Sequence, residues 1–374
     1  MPESFTSNQD LIGRDEVNDL EAILSVTNTD VHETIHAVED NADAIFTWDY
    51  EKGARPALNK LYEKAKGAQW NGETDLPWDT EVDLQKNAEL QRAQFAGLVD
   101  NDYTGTPFAK WGDKEWNALA IEGDNWTLSQ FMHGEQGALV CTAKIVETVP
   151  WIDAKYYAAT QVMDEARHVE VFAKYLDTKL EGHYPINAHL KMLLDDIITD
   201  SRWDMTYLGM QIMVEGLALA AFGFMQQMTP DPLLKKLLRY VMSDEARHVA
   251  FGVLSLKEYY EGLSTPELRE RQEFAFEAAV RMRDRFLQQE VWERMGLDAK
   301  TVLPFVVNDP GRAMFQVMLF SKIVPNCKKL GLLDAGDGWL RQKFTEMGAI
   351  QFEDWADTGE EYETMQLTQD ELAG

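Results

Sequence analysis

The chain has 374 residues, with 35 Lys and Arg against 64 Asp and Glu, for a formal net charge of -29 at pH 7. That acidity argues against nucleic acid or an anionic membrane as partner, because phosphate binding needs a basic footprint. Hydrophobic residues make up 45%, enough for a sizeable core, and two cysteines, Cys141 and Cys327, make neither a disulfide framework nor a thiolate metal site.

The opening residues, MPESFTSNQD, hold no basic stretch and no apolar run, so no signal peptide is expected. Residues 1–85 are polar and irregular by pattern, with short helices expected around 15–26 and 30–46. In the second of these, His32, Glu33 and His36 spell H-E-x-x-H, the pattern of a zinc peptidase. Glu39 is the only nearby third ligand, and no protease framework surrounds it, so a helix with two surface or packing histidines is the expected reading. Further on, apolar residues at three- and four-residue spacing predict helices over 126–148, 152–178, 187–228, 232–262, 266–295 and 310–323. Pro and Gly fall between these segments: Pro150, Gly182 with Pro185, Pro230 with Pro232, Pro304 with Pro310. No useful period-two alternation occurs, so the expected class is all-α. The apolar run Leu217 to Met225 is too short to span a bilayer. From Glu346 on the chain is acidic with no Lys or Arg, and a solvated tail or lid is expected. The expected organisation is an irregular and helical N-terminal flank (1–125), a four-helix core (126–262), additional helices packed on it (263–345) and the acidic tail (346–374), in a cytoplasmic protein.

An internal repeat carries the chemistry. DEARHV occurs at Asp164–Val169 and again at Asp244–Val249, 80 residues later. The same shift superposes Glu135 on Glu215, Ala138 on Ala218, Leu139 on Leu219, Pro150 on Pro230 and Lys155 on Lys235. Glu135 lies 15 residues before Pro150, and Glu165 lies 15 after it. A turn at the proline therefore sends the chain out and back by roughly 20 Å, returning Glu165 to the height of Glu135 on the next helix. Glu215, Pro230 and Glu245 repeat these arms. Within each DEARH the Glu and His are three residues apart and project from one face. Two such hairpins packed together bring Glu135, Glu165, His168, Glu215, Glu245 and His248 into one layer.

Four glutamates cannot share a dry core as anions. Two divalent cations would cancel their charge, and carboxylate with imidazole, without thiolate, suits iron or manganese better than a structural zinc. Two Glu helices with two Glu-x-x-His helices describe a ferritin-like dimetal four-helix bundle, and the 47-residue separation of His168 and Glu215 leaves room for its long crossover. His133, two residues before Glu135, points off this face.

The paired Glu135/Glu165-x-x-His168 and Glu215/Glu245-x-x-His248 resemble the ligand set of the ferritin-like nonheme diiron-carboxylate oxygenases and oxidases. That superfamily includes multicomponent monooxygenases, acyl-carrier-protein desaturases, N-oxygenases and the ribonucleotide reductase small subunit. The resemblance covers about residues 126–256. It implies that Asp164 orients His248, that Asp244 orients His168, and that Arg167 and Arg247 neutralise the aspartates. Two departures narrow the field. The radical-generating subunit carries a Tyr four residues after its first ligand His, where this chain has Phe172. Hydroxylases and desaturases place a Thr shortly after the third ligand Glu, where Gly216, Leu217, Ala218 and Leu219 stand here.

Around the expected ligands sit Phe131, Met132, Leu139, Met163, Met213, Leu219 and Phe222, with Gly134, Gly137, Gly216 and Ala220 leaving space. Phe131, Met132, Leu139, Met213, Leu219 and Phe222 are taken as the wall of a pocket for a largely apolar organic substrate. The expected function is oxygen activation at two irons, with Mn/Fe also open and O2 as co-substrate. The substrate would be hydroxylated, N-oxygenated or desaturated. Electrons would come from a reductase or ferredoxin, because no flavin, nicotinamide or iron–sulfur motif is visible. The competing readings are an iron-binding ferroxidase, or a Mn/Fe oxidase without an organic substrate. A homodimer is left open.

Overall fold

The computed structural model describes residues 7–27, 38–44, 48, 53–96, 103–180 and 182–372. The H-E-x-x-H segment lies outside these residues, and the described part of the expected 30–46 helix, 38–44, has no regular structure. Among the described residues every regular element is helical.

In chain order the helices are α1 (Asn8–Ile12), α2 (Leu20–Ser25), α3 (Pro56–Gly67), α4 (Leu84–Ala96), α5 (Asp113–Thr148), α6 (Ile152–Lys179), α7 (Ala188–Thr199) and α8 (Trp203–Tyr207). A π-helical segment, Leu208–Val214, follows directly, and then α9 (Glu215–Met228), α10 (Pro232–Tyr260) and α11 (Thr265–Arg285). The last part holds α12 (Gln289–Arg294), α13 (Ala299–Val306), α14 (Pro310–Met318), α15 (Ile323–Lys329), α16 (Trp339–Glu346), α17 (Thr358–Glu361) and α18 (Gln369–Leu372).

Four of these make the bundle. The hairpin α5–α6 turns at Val149–Trp151, and the hairpin α9–α10 turns at Thr229–Asp231. The second turn is locked by side chains: Asp231 Oδ1 accepts from Leu233 N at 2.8 Å, capping α10, while Pro232 takes a first-turn position where no N–H is needed. Tyr175, near the end of α6, donates its hydroxyl to the same aspartate and ties one hairpin to the turn of the other. Between the hairpins, α7 crosses over and packs on α5 and α11.

Several boundaries differ from the pattern-based reading, and the helix expected over 266–295 breaks at 286–288 into α11 and α12. The helix expected from 126 starts at Asp113, because Glu115 reaches back to the Gly112 N–H at 2.9 Å and starts it about three and a half turns earlier. The helix expected over 187–228 breaks after Thr199, where Asp200 turns back onto the Arg202 N–H and guanidinium. The stretch Trp203–Met228 is then one continuous rod, long and apolar enough by length and composition to cross a membrane, but mostly buried at the bundle centre and carrying Glu215.

The acidic C-terminal stretch, expected as a solvated tail or lid, is folded against α10. Arg239 holds Glu371 at 2.9 Å and the Met365 carbonyl at 2.7 Å, and Leu367 N donates to Ser243 Oγ at 3.0 Å. Basic groups on the bundle supply the countercharge that the stretch itself lacks.

Candidate metal centre

The layer at mid-bundle brings together Glu135 from α5, Glu165 and His168 from α6, Glu215 from α9, and Glu245 and His248 from α10. All six are nearly inaccessible to solvent. Two overlapping groups of donor atoms form, Glu135–Glu165–His168–Glu245 and Glu165–Glu215–His248, with atoms in each lying within 4.8 Å of one another. Donors on one ion at ~2 Å stand no more than about 4 Å apart, so the groups need little contraction to hold a cation each.

The imidazoles are oriented alike. His168 Nε2 lies 3.2 Å from Asp244 Oδ2, and His248 Nε2 lies 3.3 Å from Asp164 Oδ2, so each histidine is tied to the aspartate of the opposite hairpin. Their Nδ1 atoms face the carboxylates: His168 Nδ1 is 3.1 Å from Glu245 Oε1, and His248 Nδ1 is 3.1 Å from Glu165 Oε1. Distance is met there without alignment. His248 Nδ1, Glu165 Oε2, Glu215 Oε2 and both oxygens of Glu245 are buried with no hydrogen-bond partner among the described residues. Several orphaned acceptors converging in a dry core would be strongly destabilising. A cation among them satisfies all at once, so the donor set fits a two-metal site.

Without a cation the charges sort themselves in a revealing way. Burial, reinforced by the Glu245 charge, pushes the Glu135 carboxyl up to about 8. Burial and the Glu165 and Glu245 charges push Glu215 well above its ordinary range. Burial also acts to raise Glu165, but the adjacent imidazoles, His248 first, outweigh it and hold this carboxylate ionised. The site therefore stores protons that an incoming cation must displace.

Around the ligands lies a layer of buried ion pairs. Arg167 Nη2 donates to Asp164 Oδ1 at 2.5 Å and to Asp244 Oδ2 at 2.9 Å, and Arg247 donates to Asp244. Segments from the two flanks of the bundle close over this layer in parallel ways. Arg167 donates to Gln69 Oε1 at 2.9 Å, and Arg247 donates to Gln366 Oε1 at 2.6 Å. Trp70 adds an indole N–H to Asp244 Oδ2 at 2.7 Å, with the Arg167 guanidinium 4.5 Å over its ring. Gln161 bridges Glu165 Oε1 at 2.8 Å and Glu215 Oε1 at 3.0 Å. Sequence reasoning did not single out Gln69, Trp70, Gln161 or Gln366. Gln161, one turn before Glu165 on the ligand face, was the only one with a usable signal.

Beside the ligands is a small cavity lined by Glu135, Glu215 and Glu245 together with Phe131, Phe222, Gln130, Gly134, Ala138, Val214, Ala218 and Arg285. Of the six residues expected as a substrate wall, Phe131 and Phe222 line it, their rings 4.6 Å apart. Met132, Leu139, Met213 and Leu219 do not. Met213 and Leu219 are buried in packing elsewhere, whereas Met132 and Leu139 are only partly covered. Met163 is exposed on the outer face of α6. Phe172 closes an aromatic group with Phe131 and Phe222, at ring distances of 6.0 Å and 5.8 Å. The cavity's free volume of about 20 Å³ is room for a water or two, each needing ~10–15 Å³, and is too small for an organic molecule without side-chain movement. His133 points away, its ring between Gln136 and the Tyr184 carbonyl.

No protein-family model matches the chain, and no curated protein matches it. Solved structures similar to it include R2-like ligand-binding oxidases. Two variants with an anaerobically reconstituted Mn/Fe cofactor are 18% and 17% identical, cover 75% and 76% of this chain and 94% and 98% of theirs, with TM-scores of 0.48 and 0.49. An aerobically reconstituted form is 15% identical over 86% of this chain and 99% of its own, at a TM-score of 0.43.

Proposed function

We propose that this chain activates dioxygen at a two-metal centre held by Glu135, Glu165, His168, Glu215, Glu245 and His248, with two irons or one manganese and one iron. The observation that carries the reading is the convergence of orphaned, buried carboxylate oxygens and His248 Nδ1 on one layer. Two such ions, when bound, supply the redox equivalents and open positions for reducing dioxygen.

The protein's own share follows from its geometry. Four glutamates balance two divalent charges. Asp244 and Asp164, facing Nε2 of His168 and His248, hold each ring proton there and leave Nδ1 free to ligate. Arg167 pairs with both aspartates and Arg247 with Asp244, which gives the layer its countercharge and fixes the carboxylates that orient the rings. Phe131, Phe172 and Phe222 keep the adjacent space poor in water, which strengthens electrostatic interactions inside it.

In its fuller form the proposal adds a small organic substrate that is hydroxylated, N-oxygenated or desaturated, with electrons from a separate reductase or ferredoxin. The cavity volume favours a second reading beside it, an oxidase or ferroxidase without an organic substrate. Both predict two metals per chain and dioxygen uptake by Fe(II)-loaded protein. Only the first predicts that an added organic compound changes the reaction's products. Anaerobic loading, metal analysis and an oxygen electrode test the shared part; one zinc per chain, or no uptake by iron-loaded protein, would contradict it.

A further inference from the structure

Arg285, the last residue of α11, opens onto the cavity beside Glu135, Glu215 and Glu245. It is 3% exposed. Among the described residues its guanidinium makes no hydrogen bond or ion pair, and its Nε is a buried donor without a partner. The acids nearest in sequence are already engaged: Asp284 with Arg14 at 2.5 Å and with Arg283, and Glu290 with Trp126 at 3.0 Å and Asn187 at 2.7 Å. Its recorded contact is with the Phe286 ring at 4.6 Å. The one other polar wall group outside the ligand set, the Gln130 amide, is committed to the Pro185 carbonyl at 2.9 Å and the Asn187 N–H at 2.7 Å.

A buried, unpaired cation is strongly unfavourable and normally acquires a counter-ion. Burial alone draws this guanidinium down to about 9, which still leaves it charged at neutral pH. Charge accounting among the groups at the metal layer and its cavity points the same way. Four glutamates offset two divalent cations, and Asp164 and Asp244 offset Arg167 and Arg247. One positive charge, that of Arg285, is left over.

We infer that Arg285 is the anchor for the carboxylate of the substrate, a monocarboxylate whose apolar body lies against Phe131, Val214, Ala218 and Phe222. The planar fork of donors suits a carboxylate, which can take two parallel hydrogen bonds. The cavity, at about 20 Å³, is too small for that body as it stands, so binding requires side chains to move aside next to the small residues Gly134, Ala138 and Ala218. This assignment rests on the two-metal reading for its chemical meaning, while the binding itself does not.

The test uses metal-loaded protein and two matched pairs of probes, octanoate with octan-1-ol and benzoate with benzyl alcohol, by isothermal titration calorimetry with metal content measured on the same samples. At least one acid should bind about 10- to 100-fold more tightly than its alcohol, the range for charge-assisted hydrogen bonds. Arg285→Met should abolish that difference and leave the metal-free protein at least as heat-stable as the parent, because it removes an unpaired buried charge. Equal affinity of acid and alcohol in both pairs, or a preference that persists in Arg285→Met, overturns the inference. If that variant does not fold, Ala218→Leu narrows the cavity with Arg285 in place; unaltered acid binding there also overturns it. Acid-selective binding by a protein without iron or manganese would uphold the anchor and sink the two-metal function.

Discussion

The two hairpins descend from one pattern, yet they meet the metal layer differently. In the first, Glu135 sits within a regular 36-residue α-helix. In the second, Glu215 follows seven π-helical residues, and its N–H reaches back five residues to the Met210 carbonyl. Wide turns of this kind are frequent at functional sites. Gln161 bridges the two sides through Glu165 and Glu215, and its counterpart 80 residues on is Val241, which has no polar group to do the same. The donor groups divide accordingly, four residues around His168 and three around His248, with Glu165 in both. A repeat can thus set the position of six candidate ligands while leaving the two donor groups chemically distinct.

The largest expected effect tests the shared ligand. Glu165→Ala should remove both metals, whereas Glu215→Ala should remove chiefly the one beside His248; metal analysis of the two variants reads this directly. Equal losses would show that the halves are equivalent after all. Next comes the buried ion-pair layer. Arg247→Ala strips one of two guanidiniums from a fully buried Asp244, which keeps Arg167 at 2.9 Å, so the cost should fall below the about 3–5 kcal/mol of breaking a buried pair outright, seen as a lower denaturation midpoint. Gln69→Ala and Gln366→Ala should each cost about 1–2 kcal/mol. Similar values would establish that the two flanks close the layer in parallel.

The connection between the halves should set an acid limit on stability. Burial, only partly opposed by Asp284, pulls His189 on α7 from its ordinary 6.5 down to about 4. Its folded value is the lower one, so the unfolded chain gains a proton first as pH falls. Stability contributed by the neutral ring is complete above pH 6.5 and is lost between about 6.5 and 4, by up to about 3 kcal/mol. Denaturant titrations of metal-free protein at both ends of that range should show a smaller loss in His189→Gln. A smaller effect again concerns the π segment. A Cβ on Gly252 would stand 2.6 Å from Gln211 Cβ, so Gly252→Ala should cost about 1–3 kcal/mol as overpacking.

The metal layer was legible because equal 15-residue arms about two prolines translate sequence spacing directly into height along a bundle. The cavity wall was less so. Met213 lies in the π segment, where the 3.6-residue period no longer says which way a side chain points, and that apolar run carries no mark separating π from α. Gln69, Trp70 and Gln366 reach the layer from flanks outside the repeat, so no spacing could link them to it. Arg285 sits 37 residues past His248, on a helix whose pattern is otherwise an ordinary amphipathic one. The break after Thr199 and the early start of α5 turn on single side chains, Asp200 and Glu115, acting on nearby backbone.

Metal loading should also track the protons stored on Glu135 and Glu215. Affinity falls as pH drops below about 8, and competition against a chromophoric chelator at pH 8 and pH 6 measures it. The most direct measurement is an anomalous-scattering map at the iron edge from crystals of iron-loaded protein. It should show two peaks among the four glutamates, one facing Nδ1 of His168 and the other Nδ1 of His248. A single peak, or density on the Nε2 side of either ring, would contradict the two-metal layer.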